Sequence, residues 1–376
     1  MKPEFEHFLE QRLQSDLNFI QVVLGPRQVG KTTALKSIVS RWKGPTLMVT
    51  ADEVAAPTES WIEVQWKLAK SMGNNVLLVF DEIQKVRDWS RVIKVMFDQE
   101  RASRSMKVVL LGSASLSIQQ GLSESLAGRF ELIFAPHWSY THCKEAFGWN
   151  LETYLTYGGY PGAAELVSNQ ERWEDYVKYG IIEPVLSKDI LQVATVHKPA
   201  LFRQCFELAM AYPAQEISLT KLLGQLQDKG NITTIQHYLT LFEGAFLVKA
   251  LQKYGGSELR RRSSAPKLLP LNNALPQALH GSKKEDSIWK GRLLEAAVGA
   301  HLSLQKGQLS YYRDGNDEVD FVFQTNEKLY AIEVKSDHKA SRHRGLEKFL
   351  KIYPNAVPMI IDRNAAETFF TTSLPA

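Results

Sequence analysis

Cysteine is scarce in this chain: Cys143 and Cys205 are its only two, and neither stands in a CxxC pair. A disulfide framework and a thiolate zinc site are thereby excluded as organising elements, and a reducing compartment is expected. Long apolar runs are missing as well. The longest, such as Val76 to Phe80, have the length of a strand, against the roughly 20 residues that span a bilayer. The N-terminal stretch MKPEFEHFLEQRLQSDL carries acidic residues where a secretory signal needs an unbroken apolar core. No signal peptide, no membrane partner and a cytoplasmic location are therefore expected. Internal repeats and low-complexity tracts are absent, and so is a strong excess of one charge. A net charge of +4 and a pI near 8.8 tilt only slightly toward anionic partners.

What is present is the composition of a folded protein, with 44% hydrophobic and 23% charged residues. At 376 residues the chain exceeds one compact core. Three domains are expected, over residues 1–145, 146–258 and 259–376. In the first, apolar strands at Phe19 to Leu24, Thr46 to Thr50, Val76 to Phe80 and Lys107 to Leu111 alternate with helix-like stretches. That alternation predicts an α/β fold with a parallel sheet covered on both faces.

Between the first strand and the helix that follows it stands Gly25-Pro26-Arg27-Gln28-Val29-Gly30-Lys31-Thr32, followed by Thr33. This fits the Walker A pattern GxxxxGK[ST] in the strand-loop-helix context that the chemistry requires. Gly25 and Gly30 are expected to permit backbone dihedrals that turn amide N–H groups toward phosphate oxygens at a helix N-terminus. Lys31 is then placed to contact the β and γ phosphates of ATP, and the Thr32 hydroxyl to ligate Mg2+.

A second element agrees. Val76 to Phe80 is an apolar strand that ends in Asp81-Glu82, the Walker B arrangement. Asp81 is expected in the Mg2+ shell, and Glu82 is expected to orient and activate water. The strand from Lys107 ends in Gly112-Ser113-Ala114-Ser115, where a sensor residue would meet the γ phosphate. Ser113 is the first candidate and Ser115 the second, although serines after a strand also form turns. Arg129 is a candidate arginine finger, in cis or from a neighbour, with a surface salt bridge as the alternative.

Beyond Ala135-Pro136 the chain becomes helical and rich in aromatic residues, and it is broken at Gly158-Gly159-Tyr160-Pro161-Gly162. Between Leu201 and Tyr254 three helix-like segments precede a strand-like piece at Ala245 to Leu251, an order that resembles a winged helix. Thr233 to Phe242 would be its third helix, the element that enters a DNA groove in many such modules. Its apolar face is Ile235, Tyr238, Leu239 and Phe242; the outward positions Thr234, Gln236, His237 and Thr240 include no Lys or Arg. Groove-entering helices contact phosphates with basic residues, so packing or interdomain coupling and DNA contact both stay open. The run Arg260-Arg261-Arg262 could touch phosphate or be a solvated loop.

In the last third a helix containing GRLLEAAVGAHL precedes two strands, Val319 to Phe323 and Leu329 to Lys335, and another helix, giving an αββα unit. Pairing Phe323 with Leu329 across the turn at Gln324 to Lys328 brings Asp320 level with Ile332 and Glu333. Side-chain alternation then puts Glu333 and Lys335 on one face. This is the D…ExK spacing of a restriction-nuclease-like fold, in which the carboxylates hold Mg2+ and Lys335 stabilises charge. The alternative is a cross-strand ion pair on a sheet face.

Taken together, Gly25 to Thr32, Asp81-Glu82, Gly112-Ser113 and Leu126-Ala127-Gly128-Arg129 resemble the bacterial and archaeal AAA-type ATPases that carry an uncharacterised C-terminal half. The resemblance extends to Tyr157-Gly158-Gly159-Tyr160-Pro161, Asp189, Glu318-Val319-Asp320 and Ile332-Glu333-Val334-Lys335. It departs at Pro136-His137-Trp138-Ser139-Tyr140, where the group usually has Pro-Leu-Ser-Phe. The resemblance implies an ATPase with a switch-like or DNA-associated role, and it adds Glu295 as the further acidic position beside Asp320, Glu333 and Lys335. Three functions follow as expectations. One is an ATPase that switches or remodels a DNA or protein partner, another an ATP-regulated Mg2+-dependent nuclease, and the third a nucleotide-binding regulatory module with negligible turnover.

Overall fold

Five strands whose residues are the most continuously apolar of the first third form one parallel sheet: β1 (Ile20–Leu24), β2 (Thr46–Thr50), β3 (Val76–Asp81), β4 (Met106–Gly112) and β5 (Phe130–Phe134). The computed structural model describes residues 3–100, 106–112, 125–194, 196–226, 231–257, 261, 264–281, 286–335, 343–372 and 374. It divides into two units, Met1–Pro136 and His137–Ala376.

In the first unit the strand order is β2-β3-β4-β1-β5. β1 and β3 are buried along their whole length, whereas the edge strand β2 is half-buried. That gradient is what a parallel sheet covered on both faces produces. The helices are α1 (Glu4–Gln14), α2 (Lys31–Arg41), α3 (Glu59–Ser71) and α4 (Trp89–Glu100). Each buries one stripe at helical spacing: Phe5, Leu9 and Leu13 on α1, Ile62, Trp66 and Ala69 on α3, Trp89, Ile93 and Phe97 on α4. β4 lies between β1 and β3, so the carboxyl ends of these three strands share one edge of the sheet. Leu24 pairs with Gly112, and Thr50 with Asp81. Ligands of open α/β sheets bind in the crevice at such an edge.

The second unit begins with α5 (Tyr140–Phe147), α6 (Leu151–Tyr157) and α7 (Gln170–Asp175). The helix then widens to i→i+5 turns over Tyr176–Ile182 and Val185–Asp189, the stretch that contains Asp189. Three further helices, α8 (Pro199–Ala211), α9 (Leu219–Gln225) and α10 (Ile232–Gly244), accompany β6 (Gln215–Glu216), β7 (Val248–Leu251) and β8 (Lys267–Pro270). These strands form an antiparallel sheet in the order β6-β8-β7. The expected strand at Ala245 to Leu251 is shorter, because the chain turns at Phe246, whose φ is +58°, before it extends.

After α11 (Ala274–Leu279) come α12 (Ser287–Ser303), β9 (Gln308–Asp314), β10 (Asp317–Gln324), β11 (Leu329–Val334), α13 (Arg344–Ile352), β12 (Val357–Ile361) and α14 (Arg363–Thr371). Their sheet has the order β12-β11-β10-β9, with β12 parallel to β11 and the other pairs antiparallel. The sequence reading found only β10 and β11. Leu294, Val298 and Leu302 of α12 pack with Phe321, Phe323 and Ile332 in the core beneath it.

A buried polar joint holds the start of this unit together. Asn272 Oδ1 accepts from the Gly159 and Ala274 amides at 3.1 and 3.0 Å, and Asn272 Nδ2 lies 3.1 Å from His137 Nδ1. His137 Nε2 lies 3.0 Å from the Phe246 carbonyl. Gly158 has φ +68°, and a Cβ there would stand 2.0 Å from Asn272 Oδ1. The Gly158-Gly159 pair is thus explained by packing.

Candidate functional site

The loop between β1 and α2 has two left-handed residues, Gln28 at φ +62° and Gly30 at φ +91°. Gly25 is required for a different reason from the expected one. Its backbone passes so close to the chain leaving β5 that a Cβ would meet the Ala135 carbonyl oxygen at 2.0 Å. Lys31, the first residue of α2, is buried, and its ammonium donates to the Gly25 and Pro26 carbonyls at 2.8 and 2.7 Å. The Lys31 ammonium is thus held against a glycine-bearing loop at a helix N-terminus, the setting in which phosphate oxygens are favoured.

Thr32 follows on the first turn of α2 and donates from Oγ1 to Asp81 Oδ2 at 2.9 Å. The other oxygen of Asp81 accepts from the Glu82 amide at 3.0 Å. Burial raises the Asp81 carboxyl above its ordinary range, with the Thr32 hydrogen bond acting against the shift and Glu82 adding to it. Glu82 leaves the strand in a left-handed conformation at φ +52°. Its carboxylate, half-buried, accepts from the Gln84 side-chain amide. A non-glycine residue held at positive φ stores backbone strain, a feature that clusters at functional sites. A hydroxyl and a carboxylate already in contact, with a second carboxylate on the next residue, form a donor set that fits a small hard cation beside phosphate.

Not every expected residue joins this group. Ser113 and Ser115 lie outside the described residues. Arg129 precedes β5, and its carbonyl accepts from the Ile20 amide at 2.9 Å, which places it at the amino edge of the sheet. The phosphate loop is at the carboxyl edge, so Arg129 is not brought to the phosphate loop of its own chain. Its guanidinium instead makes a forked pair with Asp98 of α4, at 2.7 and 2.9 Å. The surface-bridge alternative is what the structure contains.

In the second unit the pairing of β10 with β11 is one residue away from the expected register. Gln324 pairs with Leu329 and Phe321 with Ile332, which sets Asp320 opposite Glu333. Asp320 Oδ2 accepts from the Val334 amide at 2.7 Å, and Lys335 Nζ lies 2.6 Å from Glu333 Oε1. Lys267 of β8 enters the same centre. Its ammonium is ion-paired with Glu295, lies 3.7 Å from Asp320 Oδ1 and donates to the Asp320 carbonyl at 3.0 Å. Burial opposes the charge on Lys267, but Glu295 and Asp320 outweigh it and hold the group protonated. Burial likewise pushes the Glu295 and Glu333 carboxyls up.

Glu295, Asp320, Glu333 and Lys335 are the residues of the possible metal centre expected from the sequence. The four residues are brought together, but a lysine stands between the carboxylates of Glu295 and Asp320. Among the described residues no group of three or more His, Cys, Asp and Glu side chains is arranged to hold a metal ion.

Comparison with known proteins bears on the first unit most directly. Residues 18–142 match the family model described as "AAA domain". The structure is similar to the Walker-type ATPase of Pyrococcus abyssi, with a TM-score of 0.54 and 14% identity, over 73% of this chain and 94% of that one. The first unit is an AAA-type P-loop domain. Behind this AAA-type domain, residues 148–286 and 290–373 match two models, each described as a domain of unknown function. An uncharacterized protein of Mycobacterium tuberculosis is 27% identical over 353 residues, 90% of this chain and 76% of that protein. An uncharacterized protein of Methanocaldococcus jannaschii is 23% identical over 363 residues, 89% of this chain and 79% of that protein. No helix among the described residues is long and apolar enough to cross a membrane.

Sequence reasoning missed Lys267 and Asn272. The available signal was a lysine opening an otherwise apolar strand, Lys267-Leu268-Leu269-Pro270, all four residues of which are buried. Lysine is almost never buried without a partner, so its place in that strand implied a carboxylate elsewhere in the chain.

Proposed function

We propose that the AAA-type domain binds ATP with Mg2+ and hydrolyses it, and that turnover switches or remodels a DNA or protein partner. The contact of Thr32 with Asp81 beside Glu82, next to the Lys31 loop, is the observation that carries this. Lys31 would exchange its loop carbonyls for the β and γ phosphate oxygens. Thr32 and Asp81 would hold Mg2+, which when bound neutralises charge that develops on the phosphates. Glu82 would orient the attacking water, a role for which its fixed backbone and the Gln84 contact prepare it. A domain that bound nucleotide without turnover would have no need of the second carboxylate.

For the second unit the order helix, strand, helix, helix, strand, strand over Pro199–Pro270 supports a winged helix. The exposed positions Gln236, His237 and Thr240 of α10 favour coupling to protein over reading of a DNA groove. The order helix, three antiparallel strands, helix, parallel strand over Ser287–Ile361, with Asp320 opposite Glu333 and Lys335 beside it, supports a restriction-nuclease-like fold. Phosphate release by the purified chain, with and without duplex and single-stranded DNA, tests the proposal. Mg2+-dependent release supports it, and no release under any of these conditions refutes turnover.

A further inference from the structure

Lys267 is among the most deeply placed charges of the second unit, with 5% of its surface exposed. Its ammonium lies over the ring of Phe321, 4.7 Å from the ring centroid, and between Glu295 of α12 and Asp320 of β10. A lysine so buried is stable only where opposite charge and hydrogen-bond acceptors surround it. Here it has one carboxylate in direct contact, a second within 4 Å and a carbonyl acceptor.

The same contacts set a positive charge where a divalent ion would have to stand. Asp320 spends Oδ2 on the Val334 amide and directs Oδ1 toward Lys267. Glu295 is taken by Lys267, and Glu333 Oε1 by Lys335. Glu333 Oε2 is buried without a hydrogen-bond partner. With the Lys267 ammonium between Glu295 and Asp320, these carboxylates do not close on a common point as the ligands of Mg2+ or Mn2+ do.

We infer that Lys267 is the resident cation of this centre, standing where a nuclease-like sheet would hold a divalent ion, so that the carboxylates fasten β8 to the C-terminal sheet. This rests on the nuclease-like reading for the kind of ion displaced. The consequence is a centre that keeps the D…ExK residues, binds no divalent metal and does not cut nucleic acid. Its product is mechanical: β8, the middle strand of the three-stranded sheet, is tied to α12 and β10 through one buried charge.

The test is Mn2+ binding by the full chain without nucleotide, followed by electron paramagnetic resonance. The forms compared are wild type, Asp320→Asn, Lys267→Ala and the double variant Lys267→Ala with Asp320→Asn. Wild type and Asp320→Asn should hold Mn2+ equally weakly. Lys267→Ala should bind it on the order of tenfold more tightly, and the double variant should lose that gain. Wild-type binding that falls in Asp320→Asn would overturn the lock while supporting a metal-bearing nuclease site. A folded Lys267→Ala that gains nothing would overturn the inference that Lys267 stands in the place of a divalent ion. Should Lys267→Ala not fold, the wild-type and Asp320→Asn pair still decides: equality supports the lock and a difference refutes it. Cleavage of linear, circular or single-stranded DNA by wild type, lost in Asp320→Asn, would also overturn it.

Discussion

Thr32 Oγ1 donates to Asp81 Oδ2 across 2.9 Å, joining the first turn of the helix after the phosphate loop to the end of the neighbouring strand pair. The two residues are 49 positions apart in the chain, and the sheet order brings them together because β4 separates β1 from β3 without displacing their carboxyl ends. Asp81 is buried, so its charge is least solvated in the place where a cation would gain most from it. Asp81→Asn should therefore weaken ATP binding in the presence of Mg2+ and leave binding in excess chelator nearly unchanged. Fluorescent-nucleotide titration under the two conditions checks this, and an equal loss in both would remove Asp81 from the metal shell.

His301 gives the second unit a pH dependence that has nothing to do with nucleotide. Its ring packs against Phe369 and Phe370, with centroids at 5.2 and 5.4 Å, and burial lowers its pKa to about 4. The unfolded chain, with an ordinary histidine near 6.5, binds a proton that the folded chain refuses. The contribution of His301 to stability is complete above about pH 6.5 and is lost as the pH drops from there through 4. His301→Phe should flatten that part of the acid limb in a series of melting curves from pH 7 to 4. An unchanged slope would place the acid sensitivity in other groups.

The joint at Asn272 should be intolerant of small changes. Asn272→Ala strands the Gly159 and Ala274 amides in a buried setting and should cost about 2–4 kcal/mol. Gly158→Ala puts a methyl group against Asn272 Oδ1 and, at 2.5 Å, the Ala274 amide, at a left-handed φ, and should cost at least as much. Because both act on one joint, the double variant should lose less than the sum. Denaturant unfolding of the three variants measures this, and strict additivity would mean that the two residues act separately.

How much of this was legible in the sequence depended on how local the information is. Gly25 to Thr32 and Val76 to Glu82 are continuous segments in which the strand, the loop and the reactive side chains are neighbours along the chain. The strands β1 to β4 accordingly lie within a residue or two of where the apolar runs put them. Arg129 was different. Its segment says nothing about which edge of the sheet it occupies, and only the pairing of Ile20 with Phe130 decides that. β12 went unseen because Val357-Pro358-Met359-Ile360-Ile361 contains a proline, which a strand accepts at the sheet edge where β12 lies. The one-residue error between β10 and β11 came from the turn, whose length does not fix a register. Lys267, Glu295 and Asp320 converge from three separate elements; the apolar strand around Lys267 implies a carboxylate partner, but nothing near it in the chain says which one.

Hydrolysis is assigned to the Asp81-Glu82 strand end, and Glu82→Gln isolates that assignment from nucleotide binding. The substitution keeps the size of the side chain and its distance from the phosphate loop, while removing the carboxylate assigned to the attacking water. ATP affinity should stay at the wild-type value, and Mg2+-dependent phosphate release should fall roughly 100-fold or more. Lys31→Ala, as the control, should instead lose affinity by roughly 10-fold to 100-fold through its charged phosphate contact. Phosphate release from Glu82→Gln at the wild-type rate, with ATP bound equally well, would contradict the account.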